Sequence, residues 1–130
     1  MAIRTIITVL CAVGLYASLF MLRKAIRASR GELTEPSVVH SPRARLFGGV
    51  PNSAIGVVYY PALALTAWFA STPVAFAAMF AAAIAAAITS LVLAYSLIYV
   101  TRMPCPFCWT SHAVNWILAA STFALLLHPN

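Results

Sequence analysis

The 130-residue sequence is 63% hydrophobic and only 8% charged, with a mean hydropathy of +0.94, whereas soluble domains carry about a quarter charged residues. A soluble globule is excluded. The net charge of +6 would suggest nucleic acid in a soluble protein, but here the basic residues flank apolar runs, so the expected partner is the lipid bilayer and its headgroups, with no nucleic acid.

No Asp, Glu, Lys or Arg occurs from Leu46 to Thr101 or from Met103 onward. At about 20 residues per helical crossing of a hydrocarbon core roughly 30 Å thick, the chain has room for four crossings. The expected fold is an all-α membrane protein, a four-helix transmembrane bundle forming one integral-membrane domain over residues 1–130.

The first span is expected over about residues 2–22, between Arg4 and the pair Arg23-Lys24. Its long apolar run and basic end read as an uncleaved anchor, because a signal peptide would be shorter and end in small residues. Residues 23–52 form the one substantial loop, with Arg23, Lys24, Arg27, Arg30, Arg43 and Arg45 and both acids, Glu32 and Glu35. Its later part, Ser41 to Gly49, turns apolar and Gly-rich and is expected to lie back on the membrane surface. Pro51-Asn52 marks a turn into the next helix.

A single helix from Ser53 to Val100 would exceed any bilayer, so a break is expected near Ser71-Thr72-Pro73. That gives spans of about 54–70 and 74–98. The latter is crowded with alanine, and small residues let membrane helices approach closely, which predicts a central place in the bundle; a bias of composition explains any single alanine equally well. After a short link at Arg102-Met103-Pro104, the fourth span covers about 107–127. Its first half holds Thr110, Ser111, His112 and Asn115, polar groups that are costly in lipid and usually face the bundle or a cavity.

Cys105-Pro106-Phe107-Cys108 opens this last helix. Residues three apart share a helix face, so the two sulfurs can reach disulfide distance, and Pro106 suits the first turn. The positive end of the helix dipole favours the thiolate that carries out exchange. At about 100° per residue, Cys105, Cys108, His112 and Asn115 fall on one stripe, the expected wall of a pocket. His112 can donate to a bound carbonyl or move a proton. Both His112 and Asn115 can equally be polar residues bonded to a neighbouring helix. Cys105, Cys108 and His112 also read as soft ligands of a metal-handling membrane protein, although they fall short of the four that a closed zinc site needs; His40 and His128 lie elsewhere, and no resident metal is expected. A third reading is a subunit that only packs its helices against a partner.

The run Asn52-Ser53-Ala54-Ile55-Gly56-Val57-Val58-Tyr59-Tyr60, after a loop ending in Phe47-Gly48, is followed at a two-helix distance by Cys105-Pro106-Phe107-Cys108-Trp109-Thr110-Ser111-His112-Ala113-Val114-Asn115. This pairing resembles the vitamin K epoxide reductase family, over most of the chain. The resemblance implies a four-helix membrane thiol:quinone oxidoreductase with a quinone of ubiquinone, menaquinone or phylloquinone type. It implies that Cys108 faces the quinone, that Cys105 exchanges with other thiols, and that Asn52 hydrogen-bonds a quinone oxygen. His112 stands where many members carry a tyrosine. The chain departs from the family in its first loop, which lacks the usual second cysteine pair. The thiol donor or acceptor, a small thiol or a thioredoxin-like protein, must then reach Cys105 directly, since Cys11 lies about midway along the first span.

The expected location is the cell membrane. The positive-inside rule would put the basic loop and the C-x-x-C in the cytoplasm, whereas the resemblance puts both outside, where a sulfur pair has more reason to form a disulfide. We follow the resemblance for this expectation.

Overall fold

The computed structural model describes residues 1–46 and 49–129; the Phe47-Gly48 of the sequence motif lies outside them. Four long helices dominate: α1 (Ala2–Ser29), α2 (Asn52–Phe69), α3 (Pro73–Ser96) and α4 (Pro106–Leu127). A π turn, Leu97–Thr101, extends α3. Three of the helical segments, Ala2–Ser29, Pro73–Thr101 and Pro106–Leu127, are long and apolar enough to cross a membrane. The chain is therefore an integral, multi-pass membrane protein. α2, with Asn52, Ser53, Tyr59, Tyr60 and Pro61 among its 18 residues, is not one of these three.

Local chemistry explains each helix end. α1 runs seven residues past the apolar run, through Arg23, Lys24 and Arg27, and nothing in that stretch breaks a helix. It stops where Gly31 takes a positive φ of 72°. There the Glu32 N–H donates to Arg27 O (2.9 Å) and the Gly31 N–H to Ala28 O (3.1 Å), the paired bonds that close a helix on a left-handed residue. With 28 residues α1 is about 42 Å long and outreaches the hydrocarbon core by roughly 12 Å. Its last, basic turns thus stand at headgroup level. α3 begins on a Thr72 cap, whose hydroxyl accepts from the Ala75 N–H at 3.2 Å, with Pro73 in the first turn.

α1 packs extensively on both α2 and α4, and α4 on α3, while α2 and α3 touch little. The order around the bundle is therefore α2, α1, α4, α3, with a loosely closed seam between the outer pair. This corrects the expectation that the alanine-rich helix is central. α3 lies at the edge, and Ala77, Ala78, Ala81, Ala82 and Ala85 are exposed. The close approach occurs between α1 and α2, where Gly14 faces the Tyr60 ring and Gly56 faces Ser18.

The core fills the half of the bundle away from the loop, around Ile7, Cys11, Leu63, Phe76, Leu118 and Leu125. At that end Arg4 on α1 donates to the carbonyls of Ala67 and Trp68, the last turn of α2, and to Pro129 O at 2.9 Å. Its guanidinium also lies 5.7 Å from the centre of the Phe76 ring. Trp68 Nε1 returns a bond to Thr8 Oγ1 at 2.8 Å. Arg4 thereby satisfies carbonyls that a helix end leaves without partners and places a cation at the negative end of the α2 dipole. Arg4→Gln is expected to cost about 1.5–3 kcal/mol, the range for hydrogen bonds from a charged group. Arg4→Lys should restore little, because a point charge lacks the planar fork. Thermal unfolding in detergent checks this, and an Arg4→Lys midpoint equal to that of the parent would refute it.

At the other end the loop folds over the bundle. Two short 3₁₀ turns, Val38–His40 and Pro42–Ala44, lead into the strands β1 (Arg45–Leu46) and β2 (Val50–Pro51), paired antiparallel with Arg45 opposite Pro51. Arg45 Nη1 donates to Gly49 O at 2.8 Å across this hairpin. Leu33 and Val39 pack on Ala25 of α1. Of the segment expected to lie back on the membrane surface, Ser41, Ala44 and Arg45 roof a cavity between the helices, while Phe47-Gly48 lies outside the described residues.

Candidate thiol and ligand site

Under this roof lies a cavity of about 430 Å³, within the usual range for small-molecule sites. All four helices and the loop contribute to its wall, which is mostly apolar, and Arg45 carries the one charge among the described lining residues. The seam between α2 and α3 accounts for it, since those helices touch little.

Cys105 caps α4, its Sγ accepting from the Cys108 N–H at 3.3 Å, and Pro106 occupies the first turn. Cys105 and Cys108 are joined in a disulfide, with Cα atoms 5.2 Å apart. The two sulfurs have different surroundings. Cys108 lines the cavity, whereas Cys105 is only 6% exposed, sits outside the lining, and packs against Leu97, Met21 and Met103. Phe107, between them, stacks on Phe20 of α1 with centroids 4.0 Å apart, which pins the start of α4 to α1.

His112, one turn after Cys108, lines the cavity, is 6% exposed, and stands against Trp109 and Trp116. Its Nδ1 is buried without a hydrogen-bond partner among the described residues. A buried, unsatisfied nitrogen is costly, so the cavity wall is built with a polar group left over. Asn52 lies half-buried at the first position of α2 and lines the cavity near the roof.

Asn115 also lines the cavity, but its amide is engaged. Tyr60 Oη donates to its Oδ1 at 2.9 Å, and its Nδ2 donates to Ser90 Oγ at 2.7 Å. This knot joins α2, α4 and α3 below the cavity, and it crosses the seam that packing leaves open. Of the two polar residues for which a helix-to-helix bond was an alternative, Asn115 makes such bonds, while Nδ1 of His112 does not.

The stripe read from the sequence therefore splits. Cys108, His112 and Asn115 share the wall with Asn52 from α2, and Cys105 stands behind it. Sequence reasoning gave no role to Tyr59, which lines the wall and whose hydroxyl is buried without a partner among the described residues, nor to Tyr60 and Ser90. Their signal was available, since each is a polar group inside an apolar helix. Among the described residues no group of three or more His, Cys, Asp or Glu could hold a metal ion, so the metal-handling alternative gains no support.

The profile of the vitamin K epoxide reductase family matches residues 5–123, which take in most or all of each of the four helices and both cysteines of the C-x-x-C. No curated protein matches the chain.

Proposed function

The chain belongs to the vitamin K epoxide reductase family, and from that membership and the cavity's geometry we propose that it is a thiol:quinone oxidoreductase of the cell membrane. The observation that carries this reading is a vicinal sulfur pair at a helix start with one member, Cys108, facing a mostly apolar cavity. In one turnover the Cys105 and Cys108 thiols lose two protons and two electrons, two S–H bonds break, one S–S bond forms, and a quinone gains the protons and electrons as a hydroquinone. The reverse direction uses the same atoms.

The chain's residues have separate tasks in this proposal. The amino end of α4 favours the thiolate of Cys108. His112, in its Nδ1–H tautomer, donates to a ring oxygen, and Asn52 donates to one from α2, so charge gained by the ring meets oriented donors in a dry site. Asn115 forms the floor and holds α2, α3 and α4 around the ring. With no cysteine between Arg23 and Asn52, no relay exists in that loop, and the external thiol exchanges with Cys105 itself.

The test mixes thiol-reduced protein in nanodiscs with a short-tailed quinone in the absence of oxygen. One quinone should be reduced for each pair of thiols lost. Asn52→Ala and His112→Ala should each weaken quinone binding by about 1–3 kcal/mol, the cost of one lost buried hydrogen bond. If thiols persist in the presence of quinone, the redox reading fails; unchanged affinity in both variants would move the ring elsewhere.

A further inference from the structure

We propose that Tyr59 is a ligand-binding residue of this cavity, its hydroxyl donating to a ring oxygen of the bound quinone. The inference rests on the function proposed above. Adjacent tyrosines on α2 differ in how their hydroxyls are bonded. Tyr60 is satisfied, its hydroxyl bound to Asn115 at 2.9 Å, whereas the Tyr59 hydroxyl is buried and has no partner among the described residues. Its ring packs edge-on against that of Tyr60, 5.1 Å between centroids, so the side chain is held in place.

The position leaves few ways to satisfy that hydroxyl. Tyr59 lines the cavity and also a groove on the outer face of α2 with Val50, Ala54, Ile55 and Val58, and these four described neighbours offer no side-chain donor or acceptor. Lipid offers a hydroxyl nothing to bond at this depth, and a buried polar group normally has a partner. The cavity contents are the remaining candidate. Asn52 and Tyr59 are seven residues apart, hence on one face of α2 and about 10 Å apart along its axis. Long side chains of a helix lean toward its amino end, which brings the Tyr59 hydroxyl back toward Asn52. A quinone carries its two oxygens on opposite edges of the ring. One can meet donors near Cys108 while the other meets a donor further into the bilayer.

The test compares Tyr59→Phe with Tyr60→Phe in nanodiscs, measuring unfolding without ligand and binding of a short-tailed quinone. Tyr59→Phe removes a hydroxyl that bonds none of the described residues, so its ligand-free unfolding temperature should be unchanged or raised while quinone affinity falls about tenfold. Tyr60→Phe should lower the unfolding temperature, because the Asn115 bond is lost. Unaltered quinone affinity in Tyr59→Phe overturns the inference, as does a fall in its ligand-free stability matching that of Tyr60→Phe, which would make the hydroxyl structural. Failure of the parent protein to bind any quinone would overturn the functional reading instead, and this inference with it.

Discussion

Cys108→Ser is expected to reduce quinone turnover to background, while Cys105→Ser, equally inactive in turnover, should accumulate a trapped covalent species on Cys108. The two sulfurs differ in access, one on the cavity wall and one 6% exposed behind it. Removing Cys108 takes away the sulfur next to the ring. Removing Cys105 leaves that sulfur but removes the partner that would release it, so mixed disulfides or quinone adducts should persist and be visible by intact-mass spectrometry. Folding should survive the Cys105 change, because serine caps helices well and its hydroxyl can replace the sulfur that accepts from the Cys108 N–H. The burial of Cys105 against Met21, Leu97 and Met103 adds a preference. A small thiol should oxidise faster than a reduced protein substrate, which must first lift this cover. Full turnover in both single variants would sink the assignment of roles; equal rates for small and protein thiols would sink the preference alone.

What the sequence shows of this fold follows from where each signal is local. The break at Ser71-Thr72-Pro73 and the start of α4 at Cys105-Pro106 were legible because cap residues and proline act within one turn. The α1 helix runs on past the expected span: hydropathy reports where lipid ends, while the helix continues to Ser29 and the backbone turns left-handed only at Gly31. The order of the helices was hidden for another reason. Ten alanines in α3 suggest close packing, but which helix gets a close neighbour depends on matched surfaces, and Gly14 with Tyr60 and Gly56 with Ser18 bring α1 and α2 together instead. The polar stripe on α4 was visible as a stripe. Its division was not, because the partners that engage Asn115 are 25 and 55 residues away in sequence, and no local pattern pairs Ser90 or Tyr60 with it.

Gly14→Val should be among the most damaging single changes in the bundle, although it adds no polar atom to a membrane helix. A Cβ at Gly14 would lie 2.5 Å from Cε1 and Cζ of Tyr60, well inside van der Waals contact, and the two further methyl groups of valine need space as well. The Tyr60 ring cannot easily yield, since it is 2% exposed and its hydroxyl is fixed on Asn115. Overpacking typically costs about 1–3 kcal/mol. Displacing Tyr60 also sacrifices the bond to Asn115, about 0.5–1.5 kcal/mol. Helix propensity returns less than about 1 kcal/mol, so a loss of roughly 3 kcal/mol remains at the upper end, with Gly14→Ala losing less. Because valine is as apolar as the span requires, insertion into the bilayer should proceed and the loss should appear in unfolding. The defect should also reach the ligand, since Tyr60 anchors the floor of the cavity through Asn115, and quinone affinity should fall along with stability. A double-mutant cycle isolates the cause. Combining Gly14→Val with Tyr60→Ala, which clears the ring from the added methyls, should be less destabilising than the sum of the two changes by about 1–3 kcal/mol. Strict additivity would mean that the glycine serves something other than the approach of α1 to α2.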